Sequence, residues 1–116
     1  FYDPDRANVL GEYGGIGLAI EDHLWQADRN WGYIRYKSSK EATDQYVNFA
    51  NKLLEMVRLG FSGAIYTQTT DVEGEVNGLI TYDRKVIKLD LDRVREVNLK
   101  LRKSLPNKYI RIMPEK

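Results

Sequence analysis

Hydrophobic positions gather into four separate stretches, and the spacing inside each predicts a different element. Behind Ser38, the residues Ala42, Tyr46, Phe49, Ala50, Leu53, Leu54 and Val57 recur every three or four positions. That spacing gives one apolar face to a helix of about five or six turns. Ser38 and Glu41 form a capping box at its start, and Gly60 stands where a left-handed glycine closes a helix. On either side lie short apolar runs, Asn8 to Tyr13 and Phe61 to Thr67, each with the length and content of a buried strand. Strand, capped helix and strand make a β-α-β unit, which implies a parallel sheet and an α/β fold. A last helix is predicted from Asp92, as N-cap, to Pro106, with Leu91, Val94, Val97, Leu101 and Leu105 as its apolar face.

Two long polar stretches separate these elements, Ile16 to Lys37 and Gln68 to about Asp83. Neither has a sustained period, so both read as loops, the first with room for one short helix. Loops of this length inside a small domain are more often functional than not. Both follow the C-terminal end of a strand, the face on which parallel α/β folds place their sites, so the two loops are expected to be neighbours. A final apolar stretch, Tyr109 to Met113, follows the last helix.

The length, 116 residues, fits one modest domain, and 42% hydrophobic content is enough for a core. With no cysteine, a disulfide scaffold or cysteine-zinc site is excluded. Cysteine absence is compatible with a periplasmic or extracellular setting without showing one. No apolar run approaches the ~20 residues that span a bilayer, which argues against a membrane partner. The chain begins with Phe1 and reads as a processed or excised piece. The net charge of +1 hides an asymmetry: residues 1–83 hold 7 Lys/Arg and 13 Asp/Glu, whereas residues 84–116 hold 11 and 4. A basic C-terminal third can attract nucleic acid, but dispersed charge of this kind fits a solvated helix face, with no nucleic-acid partner.

Candidate chemistry lies at the strand ends. Glu12, ahead of Tyr13-Gly14-Gly15, is a carboxylate held at a strand terminus beside a turn that lets a ligand approach. Asp71, Glu73 and Glu75 alternate as in a calcium loop, yet the full ligand set is missing, and a solvated acidic loop is expected. His23 is the only histidine, so a multi-histidine metal site is not available and a hydrogen-bonded structural role competes with a functional one. Gly14-Gly15-Ile16-Gly17 lacks the spacing and lysine of a phosphate-cradling loop. No cofactor or metal is called for. Trp25, Trp31, Tyr33 and Tyr36 in the first loop suit the apolar faces of sugars, or else a cluster pinning the loop to the helix.

Gly11-Glu12-Tyr13-Gly14-Gly15 resembles the nucleophile strand of glycoside hydrolase family 2, the β-galactosidase and β-glucuronidase group. The run from Gly60 to Leu79, with Tyr66-Thr67-Gln68-Thr69-Thr70-Asp71, is similar to the last barrel strand and its loop, and Tyr82-Asp83-Arg84-Lys85 to the approach to the last helix. His23-Leu24-Trp25 and Asn30-Trp31-Gly32-Tyr33 resemble the long loop after the nucleophile strand, so the likeness spans roughly residues 7 to 105. It implies the seventh and eighth β/α units of a (β/α)8 barrel in a retaining glycosidase, with Glu12 as nucleophile. Tyr13 would hydrogen-bond beside Glu12, and Tyr66 would floor the sugar pocket in place of the usual Trp. Gln68 and Asp71 would contact sugar hydroxyls, and Trp25 and Trp31 would serve as lid residues.

The acid/base Glu of that family follows an Asn, and no Asn-Glu pair occurs in this chain. Two units cannot close a barrel of ~250 residues. The expectation is therefore a chain inactive alone, whose partners are a carbohydrate substrate and the rest of the barrel. The alternatives are a non-catalytic carbohydrate-binding module and a β/α unit that pairs with copies of itself through exposed strand edges.

Overall fold

The computed structural model describes Asp3 and residues 5–106. In chain order the elements are β1 (Asn8–Gly14), β2 (Ile16–Gly17), β3 (Ile34–Arg35), α1 (Ser39–Arg58), β4 (Phe61–Thr67) and α2 (Leu91–Lys103). β1 pairs with β4 in parallel, and β2 pairs with β3 in parallel. The chain is thus mixed α/β, with α1 as the crossover between the two longer strands. Tyr109 to Met113 lies outside the described residues.

The start of α1 follows from two reciprocal bonds. Ser38 Oγ accepts the Glu41 amide at 3.1 Å, and Glu41 Oε2 accepts the Lys37 amide at 2.9 Å. The return arm lands one residue earlier than in a standard capping box, but it satisfies a free amide in the same way. At the other end the Gly60 amide donates to Val57 O at 3.0 Å with φ of 110°, a conformation that suits glycine alone.

The second helix differs from expectation at its start. Its N-cap is Asp90, not Asp92: Asp90 Oδ1 accepts the amides of Asp92 and Arg93 at 3.0 and 3.2 Å. Asp92 instead sits in the first turn, where a negative charge complements the helix dipole. The apolar face is also narrower than the spacing suggests. Val97 is buried and Val94 and Leu101 pack beside it, whereas Leu91 and Leu105 are exposed.

The core is built from Ile16, Leu18, Ala42, Tyr46, Ala50, Leu89 and Val97. It lies where α1 and α2 meet the loops, and Tyr46 Oη donates to Asn98 Oδ1 at 3.0 Å across the helix pair. Tyr13 and Tyr66 are register partners on the side of the β1–β4 pair that faces α1. Their rings meet edge-on at 5.3 Å, with Phe49 6.2 Å from Tyr13 and Tyr46 5.3 Å from Tyr66.

Among the described residues nothing covers the other face of the pair. Val9 is 51% exposed and Ile65 57%. Expected as buried strands, β1 and β4 are therefore covered on one side only, because the described residues supply a single helix layer to a two-stranded sheet.

The first long loop holds no helix; it contains the short β2–β3 pair and turns. The two loops are neighbours, as their topology requires. The Trp31 amide donates to Gly74 O at 2.7 Å, the Val76 amide to Trp31 O at 2.8 Å, and the Leu18 amide to Val76 O at 3.0 Å. Among the described residues no helix is long and apolar enough to cross a membrane.

Candidate functional site

Side chains alternate across a strand, so Glu12 must leave β1 on the side opposite Tyr13. Tyr13 faces α1, and Glu12 accordingly stands exposed on the bare face, paired in register with Ile65. It lies near the C-terminal end of the parallel pair. There an open cleft of about 220 Å³ is lined by Glu12, Tyr13, Gly14, Gly15, Tyr33 and Thr67. The Gly15 amide donates to Thr67 O at 3.0 Å and stitches the two strand ends together. Gly14 and Gly15 have φ of 116° and 65°. A side chain at Gly14 would strike Thr67 O at 2.6 Å, and one at Gly15 would strike the Tyr33 ring at 3.0 Å. β4 ends in a cis peptide between Thr67 and Gln68.

Asn77 holds this rim from below. It is fully buried; its Oδ1 accepts the Tyr33 amide at 3.2 Å, and its Nδ2 donates to Glu75 Oε1 at 3.0 Å. The same Oδ1 lies so close to Gly17 and Gly32 that a Cβ at either would meet it within 3.2 Å. One amide side chain thus fixes the first loop to the second.

Tyr13, Tyr66 and Asp71, expected at the site from the resemblance, have side chains that are partly or wholly enclosed. Tyr13 points into the layer between sheet and helix, and its hydroxyl makes no hydrogen bond to Glu12; burial pushes its phenol pKa up. Tyr66 is not among the residues that line the Glu12 cleft. As the register partner of Tyr13 it also faces α1, and burial among Tyr46, Tyr13 and Tyr36 pushes its phenol up strongly. Asp71 is not part of a solvated acidic loop.

Asp71 and Lys88 form an ion pair at 2.6 Å, with side chains 3% and 0% exposed. Asp71 Oδ1 also accepts the Gly78 amide at 2.8 Å, and Lys88 Nζ donates to Val76 O at 3.1 Å. Burial pushes the Asp71 carboxyl up and the Lys88 ammonium down, each partly offset by the other's charge. Among the described residues Asp71 Oδ2 has no hydrogen-bond partner, and neither do Tyr66 Oη and Gln68 Nε2. Asp71 therefore organises the second loop from inside.

Trp31 flanks the cleft: its ring meets Tyr33 edge-on at 5.4 Å. Trp25 is 60% exposed and packs edge-on against Tyr82 at 5.5 Å, outside the lining of the cleft. Gln68 directly follows Thr67, with its amide nitrogen enclosed. His23 is hydrogen-bonded: its Nδ1 lies 2.8 Å from Asp83 Oδ2. The Thr81 hydroxyl, at 2.7 Å, together with His23 and the Lys85 amide, holds the Asp83 carboxyl well below the usual carboxylate range. Among the described residues no three His, Cys, Asp or Glu side chains converge as a metal site would need.

No protein-family model matches the sequence, and no curated protein matches it.

Thr67 lines the cleft but is not among the residues expected at the site, and Tyr33, expected only as one of four loop aromatics suited to a sugar face, lines it too. Alternation would have found Thr67, two residues beyond Ile65 on the same strand face. Tyr33 reaches the cleft only through the contact between loops, and Lys88 is indistinguishable by composition from the many surface lysines around it.

Proposed function

We propose that this chain supplies the seventh and eighth β/α units of a (β/α)8 barrel in a retaining β-glycosidase of the family 2 type, with Glu12 as nucleophile. The observation that carries the reading is the position of Glu12. It is an exposed carboxylate on the uncovered face of a parallel strand pair, at the C-terminal end, in a cleft rimmed by aromatic and glycine residues. Parallel β/α barrels place their chemistry on that face and at that end. The bare apolar positions Val9 and Ile65 suit the interior of a closed barrel whose other strands come from elsewhere in the polypeptide.

In this reading a Glu12 carboxylate oxygen attacks the anomeric carbon as the bond to the glycosidic oxygen breaks. A second carboxylic acid from an earlier strand, about 5–5.5 Å away, gives its proton to that oxygen. The deprotonated acid then takes a proton from water, the water oxygen bonds to the anomeric carbon, and the Glu12 carboxylate leaves. This chain contributes the nucleophile, the strand that orients it and the two loops above it.

Aryl β-glycoside hydrolysis tests the proposal. The complete polypeptide hydrolyses the substrate, the isolated 116-residue chain does not, and Glu12→Gln in the complete polypeptide abolishes turnover. Full activity of the complete Glu12→Gln variant, or turnover by the isolated chain, refutes it.

A further inference from the structure

Tyr33 is 70% exposed, yet it is not loosely held. Its amide is bound to the buried Asn77 at 3.2 Å, and the Ile34 amide donates to Gly15 O at 3.3 Å. Its ring lies so close on Gly15 that a methyl group there would sit 3.0 Å from Cδ2 and 3.1 Å from Cβ. On its flank stands the ring of Trp31 at 82°, whose own backbone is hydrogen-bonded to Gly74 and Val76. A single exposed apolar side chain is ordinary, but Tyr33 and Trp31, 46% exposed, adjoin as one aromatic patch, the kind of surface that marks a place where something binds. Here the surface is fixed in position by backbone bonds on both sides, and it shares one cleft with a carboxylate.

We infer that Tyr33, braced by Trp31 and seated on Gly15, is the stacking platform for the apolar face of a sugar ring bound beside Glu12. The inference rests on reading the cleft as a carbohydrate site, but not on Glu12 acting as nucleophile. A pyranose has C–H groups on its faces and hydroxyls at its edge. Tyr33 takes a face, and the Glu12 carboxylate accepts from an edge hydroxyl. Gly15 is part of the device because any side chain there would lift the tyrosine ring. All of these parts come from this chain, so the platform is complete within it.

The test is titration of the isolated chain with p-nitrophenyl β-galactoside, β-glucoside and β-glucuronide, followed by amide chemical shifts. At least one glycoside binds at millimolar concentration and perturbs Gly14, Gly15 and Tyr33. Tyr33→Ala weakens that binding at least about tenfold, in line with loss of one stacked aromatic. Tyr33→Phe stays within about twofold, and Gly15→Ala reproduces the Tyr33→Ala defect. Unchanged amide shifts for residues of α1 and α2 in each variant exclude general unfolding as the cause.

Failure of all three glycosides to bind, or binding unchanged by Tyr33→Ala, overturns the inference. Covalent labelling of Glu12 in the complete polypeptide together with such a failure would leave the glycosidase reading standing. Glycoside binding that depends on Tyr33, in a protein whose Glu12 is never labelled, would leave the platform standing and remove the enzyme reading.

Discussion

Replacing Lys88 by Met removes the cation paired with a carboxylate that is 3% exposed. At 2.6 Å, with an effective dielectric constant near 20, the attraction between the two charges is roughly 6 kcal/mol. Much of it offsets the cost of taking both groups out of water. Removing one partner leaves that cost on the other, so Lys88→Met is expected to destabilise the chain by about 3–5 kcal/mol. Against a total stability of ~5–15 kcal/mol, this is a large fraction. Urea unfolding followed by circular dichroism at pH 7 reads it as a lower midpoint, shifted by about 2 M for a slope near 2 kcal/mol/M.

The double variant Asp71→Asn/Lys88→Met removes the orphaned charge while Asn Oδ1 still accepts the Gly78 amide, and it should recover at least about half of the loss. The pH dependence has a definite sign. Without Lys88 the buried Asp71 carboxyl is pushed further up, so the unfolded chain releases its proton first and stability falls as pH rises through the carboxylate range. The deficit of Lys88→Met should therefore shrink toward pH 4. A loss below about 0.5 kcal/mol, or a double variant equal to the sum of the singles, refutes the buried-pair argument.

Three further outcomes follow from local geometry. Ser38→Ala loses the bond to the Glu41 amide and should cost about 1 kcal/mol, read as a melting temperature lower by about 4 °C. Asp83 is depressed in the folded chain, so its contribution is present above the ordinary carboxylate pKa and disappears as pH falls below it. Asp83→Asn should thus lower the melting temperature at pH 7, and this deficit should shrink as the pH is taken below the ordinary carboxylate pKa toward the depressed folded value. Gly78→Ala drives a methyl carbon into the Asp71 amide nitrogen, and the variant should fail to give a cooperative unfolding transition.

Elements defined by neighbours in sequence were legible. β4 spans the expected residues, β1 the expected residues plus Gly14, and α1 lies between Ser38 and Gly60 because caps and periodicity are local. The misplacements arise where contacts between segments decide. Asp90 and Asp92 are equally good caps by type, and Asp90 is chosen where its own amide donates to Thr43 of α1 at 3.0 Å. Tyr13 and Tyr66 were expected beside Glu12; adjacent residues on a strand face opposite ways, so the register Glu12–Ile65 and Tyr13–Tyr66 turns both rings toward α1, while Tyr13 still borders the cleft. The Asp71–Lys88 pair joins residues 17 apart across a polar loop with no period, and no local pattern announces it.

The nucleophile role of Glu12 is tested most directly by labelling the complete polypeptide with a 2,4-dinitrophenyl 2-deoxy-2-fluoro-β-glycoside. The aryloxide leaves without needing a proton, and the fluorine slows hydrolysis of the resulting ester, so the covalent intermediate accumulates. The account predicts one added fluoroglycosyl group, mapped by peptide mass spectrometry to Glu12 and absent in Glu12→Gln. A label on another carboxylate, or hydrolysis of the reagent with Glu12 unmodified, would contradict it.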